Sequence, residues 1–391
     1  MQTPPRTLLH NARRVDLERG GVIEDSWLLL ENGAITATGA GDPPDAAAVR
    51  EDLGGAYVLS GLWDVHVHPT GYLFSDTNET VATRTFRAVD ELLDGLREGV
   101  TSVRSAGEAD FIDCAARDFF TRGKVVGPRV VPCGWAHITS GFGHGVMFTR
   151  QCDGPDAWTK AVRDAHQHGA EFFKILVSGG LRWPKPHVLQ RDAELDAAFG
   201  TAKQLGLPVL AHAATAEAVK VAVRLGARSI EHGYELDDEA VEMMRSSGTV
   251  FVPTLAYSQL GAGVARDDAE EAEVSRLRAT PTLDTQAAQA ARSFQMALAE
   301  GVTIACGSDV STIGGGAKFE IVQMVRFGMT PAQALLAATK TSAELCGYGD
   351  RSGTLAAGFE ADILAVERNP LEDIAAIRDV RGVWKSGHRV R

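Results

Sequence analysis

The chain has 391 residues, 45% hydrophobic and 23% charged, the make-up of a globular protein with room for one large domain and a smaller one. A net charge of −12 argues against a nucleic-acid or anionic-membrane surface, and no apolar run is long enough to span a bilayer. The five cysteines are scattered without a C-x-x-C pair, and the first residues lack the apolar core of a signal peptide. The expectation is a cytoplasmic protein with buried free thiols and neither a disulfide framework nor a cysteine zinc site.

Residues 1–57 carry short apolar stretches such as Ser26-Trp27-Leu28-Leu29-Leu30, cut by turns at Glu31-Asn32-Gly33 and Gly41-Asp42-Pro43-Pro44, which predicts β-hairpins. Over 58–349 strands and helical stretches alternate. Strands are predicted at 58–64, 101–106, 129–135, 172–178, 208–213, 229–233, 250–255 and 303–309, with helical periodicity between them, as in Val89, Leu92, Leu93 and Leu96. Thr330-Pro331 opens a further helix, with Thr as N-cap and Pro in the first turn. Residues 350–391 return to short strands around Ile363-Leu364-Ala365-Val366 and Val383-Trp384-Lys385. Eight strands separated by helices are the arithmetic of an α/β fold of the (β/α)8 TIM-barrel type. The two chain ends are expected to join in a small β-sandwich domain.

Ligand-type side chains fall at or near the predicted strand ends. In Gly61-Leu62-Trp63-Asp64-Val65-His66-Val67-His68, the two histidines stand at i and i+2 of a strand and share one face, so both can grip one ion. Trp63, Val65 and Val67 alternate with them as core, and Asp64 shares the ligand face. By contrast, His166-Gln167-His168 lies in a helical stretch, where i and i+2 do not share a face, and reads as solvated surface. Lys174 sits in the apolar strand Phe172-Phe173-Lys174-Ile175-Leu176-Val177, where an unpaired ammonium is costly. Three readings are open there: an ion pair inside the barrel, a snorkelling side chain, or a neutral amine that takes up carbon dioxide as a carbamate. His212 and His232 end consecutive strands, and Asp309 ends the last one, where a carboxylate can touch a metal and accept a proton from water made acidic by it.

With these motifs the chain resembles the amidohydrolase superfamily, in its imidazolonepropionase-like and Xaa-Pro and Xaa-Arg dipeptidase branch, which includes ochratoxin-degrading members. The resemblance runs through residues 61–68, Lys174-Ile175-Leu176-Val177-Ser178-Gly179-Gly180, Val209-Leu210-Ala211-His212-Ala213, Ser229-Ile230-Glu231-His232-Gly233 and Cys306-Gly307-Ser308-Asp309, and the tail from Gly328 to Asp362 is similar too. It implies two divalent metal ions, zinc foremost, with cobalt, manganese or nickel as alternatives. His66, His68 and Asp309 would hold one ion and His212 and His232 the other, with a carbamate on Lys174 and a hydroxide as bridges. By the same resemblance Asp309 handles the proton in catalysis. Tyr234 contacts the substrate carbonyl, and His144, in a glycine-rich loop with His137 and Phe142, lies over the site. Arg182 reads equally as a clamp for a substrate carboxylate or as a surface arginine, and an ionised Arg182 or Lys318 would favour a carboxylate-bearing substrate. Phe142, Tyr72, Phe74 and Trp183 would line an aromatic pocket. The segment after Asp309, with Gly314-Gly315-Gly316, departs from the family pattern, and the glycines suggest either a mobile rim or a backbone approaching substrate closely.

The function so implied is hydrolysis of an amide beside a carboxylate-bearing residue, in a dipeptide or an aromatic N-acyl amino acid such as an ochratoxin-like amide, by a homo-oligomeric enzyme acting on small molecules. A carbamate, urea, lactone or cyclic-amide hydrolase at the same centre is the alternative. A non-catalytic scaffold of the same fold is the alternative of another class, and it would have lost ligands that this chain retains.

Overall fold

The computed structural model describes residues 5–43, 49–71, 79–141, 148–179, 187–188, 190–263, 283–310 and 312–391. The chain opens with β1 (Thr7–Asp16), β2 (Gly21–Glu31), β3 (Ala34–Ala40), β4 (Val49–Asp52) and β5 (Tyr57–Ser60). β2 and β3 form the expected hairpin, turning at Asn32 (φ 54°) and Gly33 (φ 82°), the two left-handed residues that a tight hairpin with native twist requires.

A run of mostly parallel strands follows: β6 (Leu62–Val67), β7 (Val100–Ser105), β8 (Arg129–Val131), β9 (Ala136–Ile138), β10 (Thr149–Gln151), β11 (Phe173–Leu176), β12 (Val209–Thr215), β13 (Ser229–Glu235) and β14 (Val250–Val252). The chain closes with β15 (Ile363–Val366), β16 (Val380–Lys385) and β17 (His388–Arg389). Strands from both ends share one mixed sheet in the order β17-β16-β15-β5-β1-β2-β3, with β4 alongside β1. Leu9, Leu28, Ile35, Val58, Ile363 and Trp384 form its core.

The parallel strands form two sheets, β6-β7-β8 and β10-β9-β11-β12-β13-β14. Backbone bonds link them. Glu171 and Phe172 donate to the Pro132 carbonyl, Phe251 bridges to Ile304, and Val65 donates to Cys306 while Asp309 donates to His66. Outer helices cover the strands, and Leu92, Trp158, Val219, Phe294 and Ile321 share one core with Val103, Ile175, Ala211 and Ile230. Trp63, Val65 and Val67 are fully buried, as their alternation implied.

Three elements differ from expectation. The predicted strand 129–135 is β8 alone, broken at Gly134 (φ 67°), and β9 follows it within what reads as a loop. The segment 303–309 forms no named strand: it makes the isolated Ile304 bridge to Phe251 and single backbone bonds to β6. Gly307 passes so close to β6 and β14 that a Cβ there would lie 2.5 Å from Val252 and 2.7 Å from His66, and Asp309 takes φ 57°, so no regular ladder continues. The triple glycine is the first turn of the helix Ile313–Arg326, not a mobile rim. A Cβ on Gly316 would meet Val310 at 2.3 Å, and one on Gly314 would meet Glu98 at 2.5 Å, so close packing demands glycine there.

The Thr330-Pro331 start is borne out by a capping box with Gln333. That helix widens to a π-turn at Ala337–Thr341, whose Ala337 carbonyl accepts from Cys306 and so anchors the segment before Asp309. All five cysteines are buried free thiols, and His166 and His168 are exposed. Among the described residues no helix is long and apolar enough to cross a membrane.

Candidate metal centre

β6 delivers His66 and His68 to one side, and the Nε2 atoms of both lie 3.3 Å from Oδ1 of Asp309. The three residues are buried, and their ligand atoms lie within 4.8 Å of one another, a set able to hold a metal ion. His232 and His212, from β13 and β12, extend the group. The rings run His68–His66–His232–His212 with centroid spacings of 5.6, 5.0 and 4.4 Å, and His232 Nδ1 lies 3.8 Å from Asp309 Oδ2.

Lys174 enters from β11. It is buried, and its Nζ has no hydrogen-bond partner among the described residues. Burial lowers its pKa, toward the neutral amine. Burial also pushes the His66 imidazolium down to about 4, with Lys174 adding to the effect while Asp309 opposes it, and His232 is lowered in the same direction by burial and then by His212. These rings are neutral donors, as a metal requires.

In each of the four rings the protein holds one nitrogen. His66 Nδ1 meets Glu231 Oε2 at 2.7 Å, His68 Nδ1 the Gly107 carbonyl at 2.7 Å, His232 Nδ1 the Thr254 hydroxyl at 2.8 Å, and His212 Nε2 the Gly179 carbonyl at 3.2 Å. The carboxylate and carbonyls can only accept, so at His66, His68 and His212 they draw the proton to the held nitrogen and leave the lone pair on the other, the arrangement typical of metal-ligating histidines, while the Thr254 hydroxyl can take either role toward His232.

Buried carboxylates brace the surrounding backbone. Asp64 accepts from the amides of His66 and Ser308 and from the Ser308 hydroxyl at 2.5 Å, so it fixes the backbone before Asp309 and does not orient a histidine ring. Burial raises its pKa to about 7. Glu108, also raised to about 7 by burial, accepts from the Thr70 amide and hydroxyl just beyond His68.

Glu231 accepts from Arg104 Nη2 at 2.9 and 3.0 Å and from Ser229 at 2.5 Å, while Arg104 Nε donates to the Val65 carbonyl. Burial alone would raise the Glu231 carboxyl, but Arg104 and His66 bring it down to about 2. Neither Arg104 nor Glu231 stands out as a site residue in the sequence. The signal available was a lone arginine inside the strand Val100–Ser105 and a glutamate directly before the ligand-type His232. Arg104→Met should leave Glu231 as an uncompensated buried charge and cost about 3–5 kcal/mol of stability. Urea unfolding measures it, and a loss under ~1 kcal/mol would show that the pair does not hold β7 and β13 together.

Backbone strain collects here. His232 (φ 76°), Thr254 (φ 49°) and Asp309 (φ 57°) are all left-handed, an uncommon conformation for non-glycine residues that costs about 1–3 kcal/mol each and concentrates at functional sites.

Of the other expected residues, Tyr234 lies against the centre and the rest of those described do not. Tyr234 is buried with its hydroxyl 3.2 Å from His232 Nδ1. His137 pairs with Ile175 while Ala136 pairs with Lys174, so its side chain takes the face opposite Lys174, where it stacks on Phe173 at 4.8 Å. Lys318 is buried and donates to Glu98 at 2.6 Å, so it is no substrate clamp. His144, Phe142 and Arg182, with Tyr72, Phe74 and Trp183, lie outside the described residues. Phe148 is an aromatic that sequence reasoning missed, and it stacks on His68 at 4.1 Å.

The amidohydrolase family profile matches residues 57–390. Ochratoxinase of Aspergillus niger is 29% identical over 370 residues, 84% of this chain and 75% of its own length. Imidazolonepropionase of Deinococcus deserti is 24% identical over 99% of this chain and 97% of its own length. Among solved structures, a Xaa-Pro dipeptidase with methionine bound in its active site superposes with a TM-score of 0.86 at 28% identity, covering 98% of this chain and 99% of its own. The match over most of the chain, together with the buried histidine, lysine and aspartate group, settles the assignment: the protein belongs to the amidohydrolase family, hydrolases that act on C–N bonds.

Proposed function

We propose that the protein is a binuclear metal-dependent amide hydrolase whose substrate carries a carboxylate beside the scissile bond. Residues 58–349 would close as a (β/α)8 barrel, flanked by a small β-sandwich from 1–57 and 350–391. The observation that carries the reading is Lys174, an amine with no hydrogen-bond partner among the described residues, buried near the histidine group and Asp309. A carbamate on that amine would turn an unfavourable group into a two-oxygen ligand. His66, His68 and Asp309 would hold one ion, His212 and His232 the other, with carbamylated Lys174 between them. Bound zinc, or a similar divalent ion, would acidify water and polarise the scissile carbonyl.

The chain's own residues do the rest. Asp309, within 3.3 Å of two histidine nitrogens and anchored through Ser308 by Asp64, is placed to take a proton and return it to the leaving nitrogen. The carboxylate and carbonyl acceptors on His66, His68 and His212 would keep one tautomer throughout. The Tyr234 hydroxyl, resting against His232, is in reach of the same space and would steady a carbonyl oxygen. The likeness to a dipeptidase and to ochratoxinase supports a substrate with an amide beside a free carboxylate.

The test is mass-spectrometric detection of hydrolysis by zinc- and bicarbonate-loaded enzyme, on dipeptides, N-acyl amino acids with aromatic acyl groups, lactones and aryl carbamates. Cleavage confined to amides beside a free carboxylate is expected. Turnover of lactones or carbamates with silence on all amides would overturn the substrate class.

A further inference from the structure

A threonine at the start of a helix ordinarily caps it with its own hydroxyl. Thr80, Thr215 and Thr330 do so here, each with extended backbone and each accepting from the amide three residues on. Thr254 stands at the same position before the helix Leu255–Gly261 and does not: its backbone is left-handed (φ 49°, ψ 46°) and its side chain makes no cap. Glu320, from the helix Ile313–Arg326, caps in its place. Its two carboxylate oxygens accept from the amides of Leu255 at 3.0 Å and Ala256 at 2.5 Å. Thr254 is thereby released from its own helix, and its hydroxyl lies 2.8 Å from His232 Nδ1.

We propose that Glu320 is a positioning residue: by capping the helix Leu255–Gly261 it holds Thr254 left-handed, so that the threonine hydroxyl fixes the ring orientation and tautomer of His232. Glu320 and Thr254 are both buried, so water does not substitute for either contact. Without the carboxylate, Thr254 has a lower-strain alternative close at hand, the extended cap geometry that Thr80, Thr215 and Thr330 adopt. It would then turn its hydroxyl away from His232. Glu320 also follows Asp309 by eleven positions, about two turns into its helix, so the clamp ties the segment carrying Asp309 to the brace of His232. The consequence for metal binding rests on the binuclear reading above; the consequence for the His232 tautomer does not.

The experiment is selective 15N-histidine labelling of the full chain, chelated, with His232 assigned by the signal lost in His232→Asn, and with zinc stoichiometry measured in parallel at buffered free metal. Wild type should show a protonated Nδ1 at His232. Glu320→Gln, whose amide can accept from only one of the two helix amides, should show mixed tautomers and weaken the His232-bearing site by about 10–100-fold. It should spare the site of His66, His68 and Asp309. Thr254→Val should match it, and Thr254→Ser, which keeps the hydroxyl, should behave as wild type. Glu320→Asp, too short to span both amides, serves if the glutamine variant does not fold. A wild-type tautomer in a folded Glu320 variant, or in Thr254→Val, overturns the proposal. If the tautomer shifts while wild type itself takes only one zinc, the clamp stands and the binuclear reading falls.

Discussion

Asp309→Asn is expected to keep zinc near wild-type content and to lose turnover by at least about 10²–10⁴-fold, the range for removing a positioned proton acceptor. Asparagine is the informative replacement for two reasons. Its amide oxygen can still sit where Oδ1 approaches His66 and His68, but it cannot take up a proton at physiological pH. It also tolerates the left-handed backbone at this position, where alanine would add strain and blur the result. The contacts of Asp64 with Ser308 are untouched, so the segment should stay in place. Zinc analysis beside steady-state kinetics decides it, and turnover within a few fold of wild type would remove Asp309 from the proton path.

Replacing Lys174 separates the readings of that residue more sharply. If its amine is a carbamate ligand, Lys174→Met should lose the bridged ion and nearly all activity, with partial rescue by acetate or formate, whose oxygens can enter the space left. Carbamate formation itself needs the neutral amine. The nitrogen lone pair bonds to carbon dioxide and the amine loses a proton, a step that burial favours by lowering the pKa. The metal-free variant should be no less stable than metal-free wild type, because a buried amine without a hydrogen-bond partner among the described residues is replaced by an apolar chain of similar length. A structural ion pair predicts the reverse, a loss of about 3–5 kcal/mol on breaking it. Full occupancy by two ions in Lys174→Met would sink the bridging role. A large stability loss in the metal-free variant would restore the ion-pair reading.

Side-chain periodicity made the centre legible in advance. The i, i+2 spacing of His66 and His68 puts both on one face of β6 whatever else the chain does, and a lysine inside Phe172-Phe173-Lys174-Ile175 is conspicuous wherever that strand packs. The alternation of strand-like and helical stretches, the Asn32-Gly33 turn and the Thr330 cap are equally local, set by backbone sterics and by hydrogen bonds within a few residues.

What the tertiary structure alone decided are relations across strands. The register of β9 against β11 turns His137 away from Lys174, although its sequence neighbours made it a site residue. The approach of the helix Ile313–Arg326 to Glu98 makes a packed surface of Gly314 and an ion pair of Lys318, where composition read as a mobile, substrate-facing rim. Arg104 and Glu231 lie 127 positions apart, and only the arrangement of β7 and β13 makes them partners behind His66. Sequence by itself thus determined which residue types line one face of each strand, because that depends on a two-residue repeat. Which faces meet, and which buried charges and hydroxyls then brace the ligands, depends on contacts between distant segments, because a buried polar group takes whatever partner the packing brings to it.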